Sequence, residues 1–142
     1  MLMRKNPICI YISIIYLGVQ YVLVEYIKVP KEFIDDAING SGQCAEELGL
    51  PGDTLNKLLS NNFEDSQAMR KYIYCLGIAL DVGDGTGSLK HSLSKYASND
   101  RRKAEITKTI DECNKEKASD KYEKAYKVST CYLNTSSVQF KV

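Results

Sequence analysis

Cysteine is the residue type whose count and spacing first promise chemistry in this 142-residue chain. Cys9 lies in an apolar N-terminal run, while Cys44, Cys75, Cys113 and Cys131 lie beyond it. Their spacings match no Cys-x-x-Cys or Cys/His template, so a zinc centre is not indicated. Four cysteines in a short exported chain point instead to two disulfides, and three connectivities are open. His91 is the sole histidine. That excludes histidine clusters and any catalytic site needing two; a pH-sensing role is weighed against an ordinary exposed surface position. With the cysteines bridged, no nucleophile–base pair stands out, and no catalytic residue, metal or cofactor is expected. The glycines of Val82-Gly-Asp-Gly-Thr-Gly87 follow no strand and are not closed by an EF-hand Glu, so the segment reads as a flexible loop rather than a phosphate or calcium cradle. Asn39-Gly-Ser41 and Asn134-Thr-Ser136 are glycosylation sequons.

The start of the chain sets the compartment. Residues 1–29 open with Met-Leu-Met-Arg-Lys-Asn and continue into an isoleucine-rich run, the pattern of a secretory signal peptide. No Ala-x-Ala-like pair lies between Leu17 and Val29, which leaves the cleavage point undetermined. Ile8 to Val24 is at the short limit for a membrane span and Gln20 interrupts it, which disfavours an uncleaved anchor. The expected mature protein is secreted and extracellular, without stable membrane insertion. From Pro30 onward there are 16 basic residues against 17 acidic ones, and they are dispersed. Neither a nucleic-acid surface nor a basic membrane-active helix fits that balance. Arg101-Arg102-Lys103 reads as the solvated first turn of a helix.

The elements follow from apolar periodicity. Pro30 opens a helix with Phe33, Ile34, Ala37 and Ile38 on one face; Gly40-Ser-Gly42 is expected to break or kink it, and a second piece runs from Gln43 to Leu48. After the Gly49-Leu-Pro-Gly52 turn, Asp53 or Thr54 starts a short helix, and Asp65 or Ser66 a longer one to about Asp81. Ser88 to Tyr96 fits a short helix, and Asp100 caps another to about Lys117. The stretch Ser119 to Cys131 starts the last helix, capped by Ser119 or Asp120 with Glu123 completing a capping box. Tyr122, Ala125, Tyr126, Ser129 and Leu133 recur at helical spacing along it, and Cys131 points to another side. The tail Val138-Gln-Phe-Lys-Val142 alternates apolar and polar, but no strand is expected. The predicted class is all-α, a compact bundle of about six short helices in one domain over residues 30–142, with a tail from about 135.

The cysteine spacing resembles that of insect odorant-binding proteins of the pheromone/general odorant-binding family. Cys44, Cys75, Cys113 and Cys131 match the first, third, fourth and sixth of the family's six cysteines. The second falls at Lys71 and the fifth at Tyr122. Both belong to one bridge of the family, so a complete disulfide is missing, as in its Minus-C subgroup. The resemblance implies Cys44–Cys75 and Cys113–Cys131 pairing; where the third bridge is missing, the Tyr122 ring and the Lys71 stem are expected to pack together, an arrangement open to a cation–π contact if exposed.

It also implies a carrier that encloses a small hydrophobic molecule, odorant- or pheromone-like, in an apolar cavity among the helices. The inward candidates are Leu58, Phe63, Met69, Ile73, Leu76, Leu89, Leu93, Ile110, Tyr126 and Leu133. Tyr72, Tyr126 and Tyr132 have hydroxyls to offer a polar ligand group, and Val138, Phe140 and Val142 are candidates for a lid. Each of these residues also serves as ordinary core or as a free tail. A chemoreceptor is a candidate partner, and the expected state is a monomer or weak homodimer. The competing class is a secreted salivary, seminal or venom component with a filled core and a protein-binding surface.

Overall fold

A computed structural model describes residues 25–141, with side chains described from Ile27 to Ser137. The leader assignment therefore falls largely outside the described residues, as do the side chains of Val138, Phe140 and Val142. Among the described residues there are six helical segments: α1 (Lys31–Leu48), α2 (Thr54–Leu59), α3 (Gln67–Ala79), a 3₁₀ helix (His91–Tyr96), α4 (Asp100–Cys113) and α5 (Lys121–Thr135). Two short strands flank them, β1 (Glu25–Lys28) and β2 (Val138–Lys141). They pair in parallel, from Glu25 opposite Val138 to Lys28 opposite Lys141. The sequence reading expected no strand: β2 is the alternating tail, but its partner sits inside the segment read as leader.

Local chemistry fixes most of the helix ends. The Ser66 hydroxyl accepts the Met69 N–H at 3.1 Å at the start of α3, and the Asn99 side chain, one residue before the predicted cap, accepts the Arg102 N–H at 2.8 Å. Asp120 accepts the N–H groups of Tyr122 and Glu123 at 2.9 and 2.8 Å. Glu123 reaches back to the Ser119 N–H at 2.9 Å, so the box spans Ser119, Asp120 and Glu123 together. Hydrogen bonds from the Ser119 hydroxyl and N–H, and then Lys127, hold the Glu123 carboxyl well below its usual range, at about 2. α1 closes on Gly49 at φ 64. The Gly49 and Leu50 N–H groups return to Glu46 and Ala45 at 3.2 and 2.8 Å, a Schellman end.

Two expectations are corrected by packing. α1 runs unbroken through Gly40-Ser41-Gly42. A Cβ at Gly40 would lie 3.1 Å from the Ala79 Cβ, so this glycine admits α3 at close range, and that contact outweighs its cost of about 1 kcal/mol within a helix. The 82–87 loop, expected to be flexible, is tied down. Gly83 bridges Leu89, Asp84 accepts the Thr86 N–H at 2.9 Å, and the Asn114 side chain bonds both the N–H and C=O of Leu89 at 2.9 Å. Gly87 has φ 95, and a Cβ there would lie 2.7 Å from the Lys124 Cβ and 2.8 Å from the Ala125 nitrogen. Backbone approach to α5, not disorder, explains that glycine.

Cys44–Cys75 staples α1 to α3 and Cys113–Cys131 staples α4 to α5, with Cα–Cα distances of 5.9 and 5.6 Å. Each bridge is worth about 3–4 kcal/mol in the chain-entropy account. The core divides into two clusters. One joins Cys44, Met69, Tyr72, Ile73 and Leu76 to Ala125; the other joins Ile27, Leu93, Ile106 and Ile110 to Val128 and Tyr132. α5 contributes to both, so the stretch from Ser119 onward is the element around which the two halves meet.

Candidate functional site

The ligand candidates are shared between the two clusters. Met69, Tyr72, Ile73 and Leu76 are buried in the first, where Leu58, Phe63 and Tyr126 pack at its edge. Leu93 and Ile110 are buried in the second, against which Leu89 packs. Leu133 is half-buried. The candidates thus do not all face one space.

The tyrosines differ in what they can offer. Tyr72 is fully buried and its hydroxyl shares a 2.5 Å hydrogen bond with buried Ser41, so it ties α1 to α3. Burial pushes its pKa up, against a smaller lowering by that bond. Burial likewise raises Tyr132, whose hydroxyl bonds Ser136. Tyr126 is half-buried under an edge-on Phe63 ring at 6.0 Å, with the Arg70 guanidinium 5.7 Å from its centroid. Arg70 is gripped by Asp65 through two bonds of 2.7 and 2.9 Å.

At the positions of the absent bridge, the Lys71 ammonium stands 5.6 Å from the Tyr122 ring centroid. Tyr74 meets Tyr122 edge-on at 5.2 Å, and Lys121 lies 4.8 and 5.3 Å from the Tyr74 and Tyr122 rings. This cluster borders an open groove of about 460 Å³ that runs between α1 and α3, past the Cys44–Cys75 bridge, Leu48, Ile78 and Glu47. Behind it, between α3, the glycine loop and α5, is a small cavity of about 20 Å³. That is room for about one water molecule. Tyr74 and Ile78 line both spaces.

Sequence reasoning missed Tyr74, Ile78 and Lys121. Tyr74 and Ile78 lie three and seven residues after Lys71, on the same helix face, which was the available signal. The buried Met69, Tyr72, Ile73 and Leu76 lie on the opposite face, so apolar periodicity alone points away from it.

Helices joined by these two bridges, with Lys71 against Tyr122, carry the cysteine framework into three dimensions. The sequence matches the PBP/GOBP family over residues 28–135. The chain belongs to that family. No curated protein matches it. Among solved structures it is similar to the odorant-binding protein OBP28a of Drosophila melanogaster, at 18% identity and a TM-score of 0.61, covering 73% of this chain and 92% of that one. A fatty acid binding protein, OBP56a, from the oral disk of the blowfly Phormia regina gives 14% identity and a TM-score of 0.60 over 75% and 93% of the two chains. Odorant-binding protein 7 of Anopheles gambiae, solved with four disulfide bridges and an azo compound, gives 29% identity and a TM-score of 0.59 over 75% and 87%. The PBP/GOBP fold is thus shared across relatives with little sequence in common, and bridge number varies within it.

Proposed function

We propose that this protein is a secreted carrier of the PBP/GOBP family that takes up small hydrophobic molecules between its helices and releases them, acting without catalysis. The observation that carries the reading is the family match over residues 28–135. The bridge pattern supports placing it in the Minus-C subgroup, with Lys71 and Tyr122 at the vacated positions. It works as a monomer or weak dimer in an aqueous extracellular fluid, and a chemoreceptor is a fitting recipient of its cargo. Titration of the folded, oxidised protein with a fluorescent apolar probe tests this. Saturable binding reversed by apolar competitors is expected; no saturable binding sinks the carrier reading.

A second reading keeps a filled core and a protein-binding surface. It is favoured by the cavity of about 20 Å³ and by the exposure of Ile38, Leu59 and Ile78, apolar side chains of the kind that contribute to contact surfaces. In that case the probe does not saturate, whereas the carrier requires the small cavity to enlarge on binding.

A further inference from the structure

We propose that cargo enters through the seam between α3 and α5, that Tyr74 is the side chain closing it, and that Lys71 and Lys121 at its rim favour molecules bearing a carboxylate on an apolar chain. This rests on the carrier reading and deepens it. The cavity of about 20 Å³ is too small for any such molecule, while the groove of about 460 Å³ outside it is of ligand size but open. Tyr74 and Ile78 line both, so displacing them joins the two spaces into one.

Tyr74 is suited to move. It is half-buried, and its hydroxyl donates to the Gly85 carbonyl at 3.1 Å. Gly85 lies on the glycine loop at φ 88, with open space around its α-carbon. Its ring packs at the edge of the first core cluster, not inside it, and meets Tyr122 edge-on with Lys121 over its face. Among the described residues no disulfide crosses here, because the two bridges lie within the α1–α3 and α4–α5 pairs.

The rim chemistry selects the head group. Among the described residues, Lys71 and Lys121 have ring contacts but no carboxylate within ion-pair distance. Lys71 lines the groove and Lys121 stands over the Tyr74 and Tyr122 rings at its edge, and an unneutralised ammonium pair of this kind suits an anion with an apolar tail. Glu47, exposed on the α1 side of the same groove, opposes that preference and places the head group on the lysine side. Ile78, 45% exposed, supplies apolar surface for the first methylenes.

Competition and stopped-flow measurements with the same probe test the proposal. Dodecanoate should displace the probe about five- to tenfold better than dodecanol, and the ratio should fall toward one in Lys71→Gln/Lys121→Gln. Tyr74→Ala should speed probe association severalfold. Tyr74→Phe, which keeps the ring and loses only the Gly85 bond, should speed it less and guards against misfolding of the alanine variant. Equal displacement by acid and alcohol, or probe rates unchanged in both Tyr74 variants, overturns the inference while leaving the carrier intact. A wild-type protein that binds no probe removes the carrier itself.

Discussion

The Ser41–Tyr72 hydrogen bond gives a sharp test of how α1 is held on α3. The two hydroxyls are 2.5 Å apart and 31 residues apart in sequence, at 5% and 0% exposure. Ser41→Ala leaves the phenol hydroxyl in a site closed to water, at a cost of about 1–3 kcal/mol. Tyr72→Phe leaves the serine hydroxyl instead, but a helical serine can turn to the carbonyl four residues earlier, so this change should cost less, about 0.5–1.5 kcal/mol. The double variant removes both polar groups and should be no worse than the milder single variant. A coupling of about 1 kcal/mol or more is therefore expected. For a domain of this size that corresponds to about 4 °C in Tm per kcal/mol. Urea melts of the four oxidised proteins measure it. Strict additivity, or Tyr72→Phe costing more than Ser41→Ala, would refute the reasoning. The same bond occupies the hydroxyl that sequence reading offered to a ligand, so probe affinity should be unchanged in Tyr72→Phe.

Stability should fall at both ends of the pH scale. Tyr72 and Tyr132 titrate above the ordinary value of 10.0 in the fold, so the unfolded chain ionises first and stability is lost as pH rises past about 10. Glu123 titrates at about 2 instead of 4.5, so its contribution is present above the unfolded value and lost as pH falls from about 4.5 toward 2; Glu123→Gln should flatten that limb in pH-dependent melts. Restoring a bridge with Lys71→Cys/Tyr122→Cys should raise Tm, with about 4 kcal/mol as the chain-entropy ceiling because two bridges already restrict the unfolded chain, and should narrow the range of probes bound. Unchanged Tm and unchanged range together would defeat the account of the seam. Ile27 and Val29 are 6% and 3% exposed in the core, so any processed form of the chain should begin at or before Glu25 and keep β1. N-terminal sequencing that finds Pro30 first would refute this.

The helices were readable because their signals are local: an apolar period, a Ser66, Asn99 or Asp120 cap, a Gly49 end. Gly40 and Gly87 were misread for the opposite reason. Each is explained by a residue far away in sequence, Ala79 in one case and the Lys124–Ala125 turn of α5 in the other, and no local rule reports such an approach. β1 and β2 fail similarly, since a parallel pair joins the two ends of the described chain. Within the site, the cysteine spacing led to Lys71 and Tyr122, but Tyr74 and Lys121 matter only once the two helices are placed side by side.

The distribution of covalent ties suggests why that seam is where function should be sought. One disulfide holds α1 to α3 and the other holds α4 to α5, so the molecule consists of two stapled helix pairs. They meet where α3 packs on α5, through Ile73 and Leu76 against Ala125 inside and the lysine–tyrosine cluster outside. A bridge within a pair restricts the unfolded chain but does nothing to stop two folded pairs from parting slightly. Separation at the seam has to overcome the buried packing of Ile73 and Leu76 on Ala125 inside, and outside it cation–π and ring-edge interactions of about 0.5–1.5 kcal/mol each. Fluctuations of a few kcal/mol are populated at the 0.1–10% level. A seam held in this way can admit a guest while both stapled pairs stay folded, which a third bridge across it would resist.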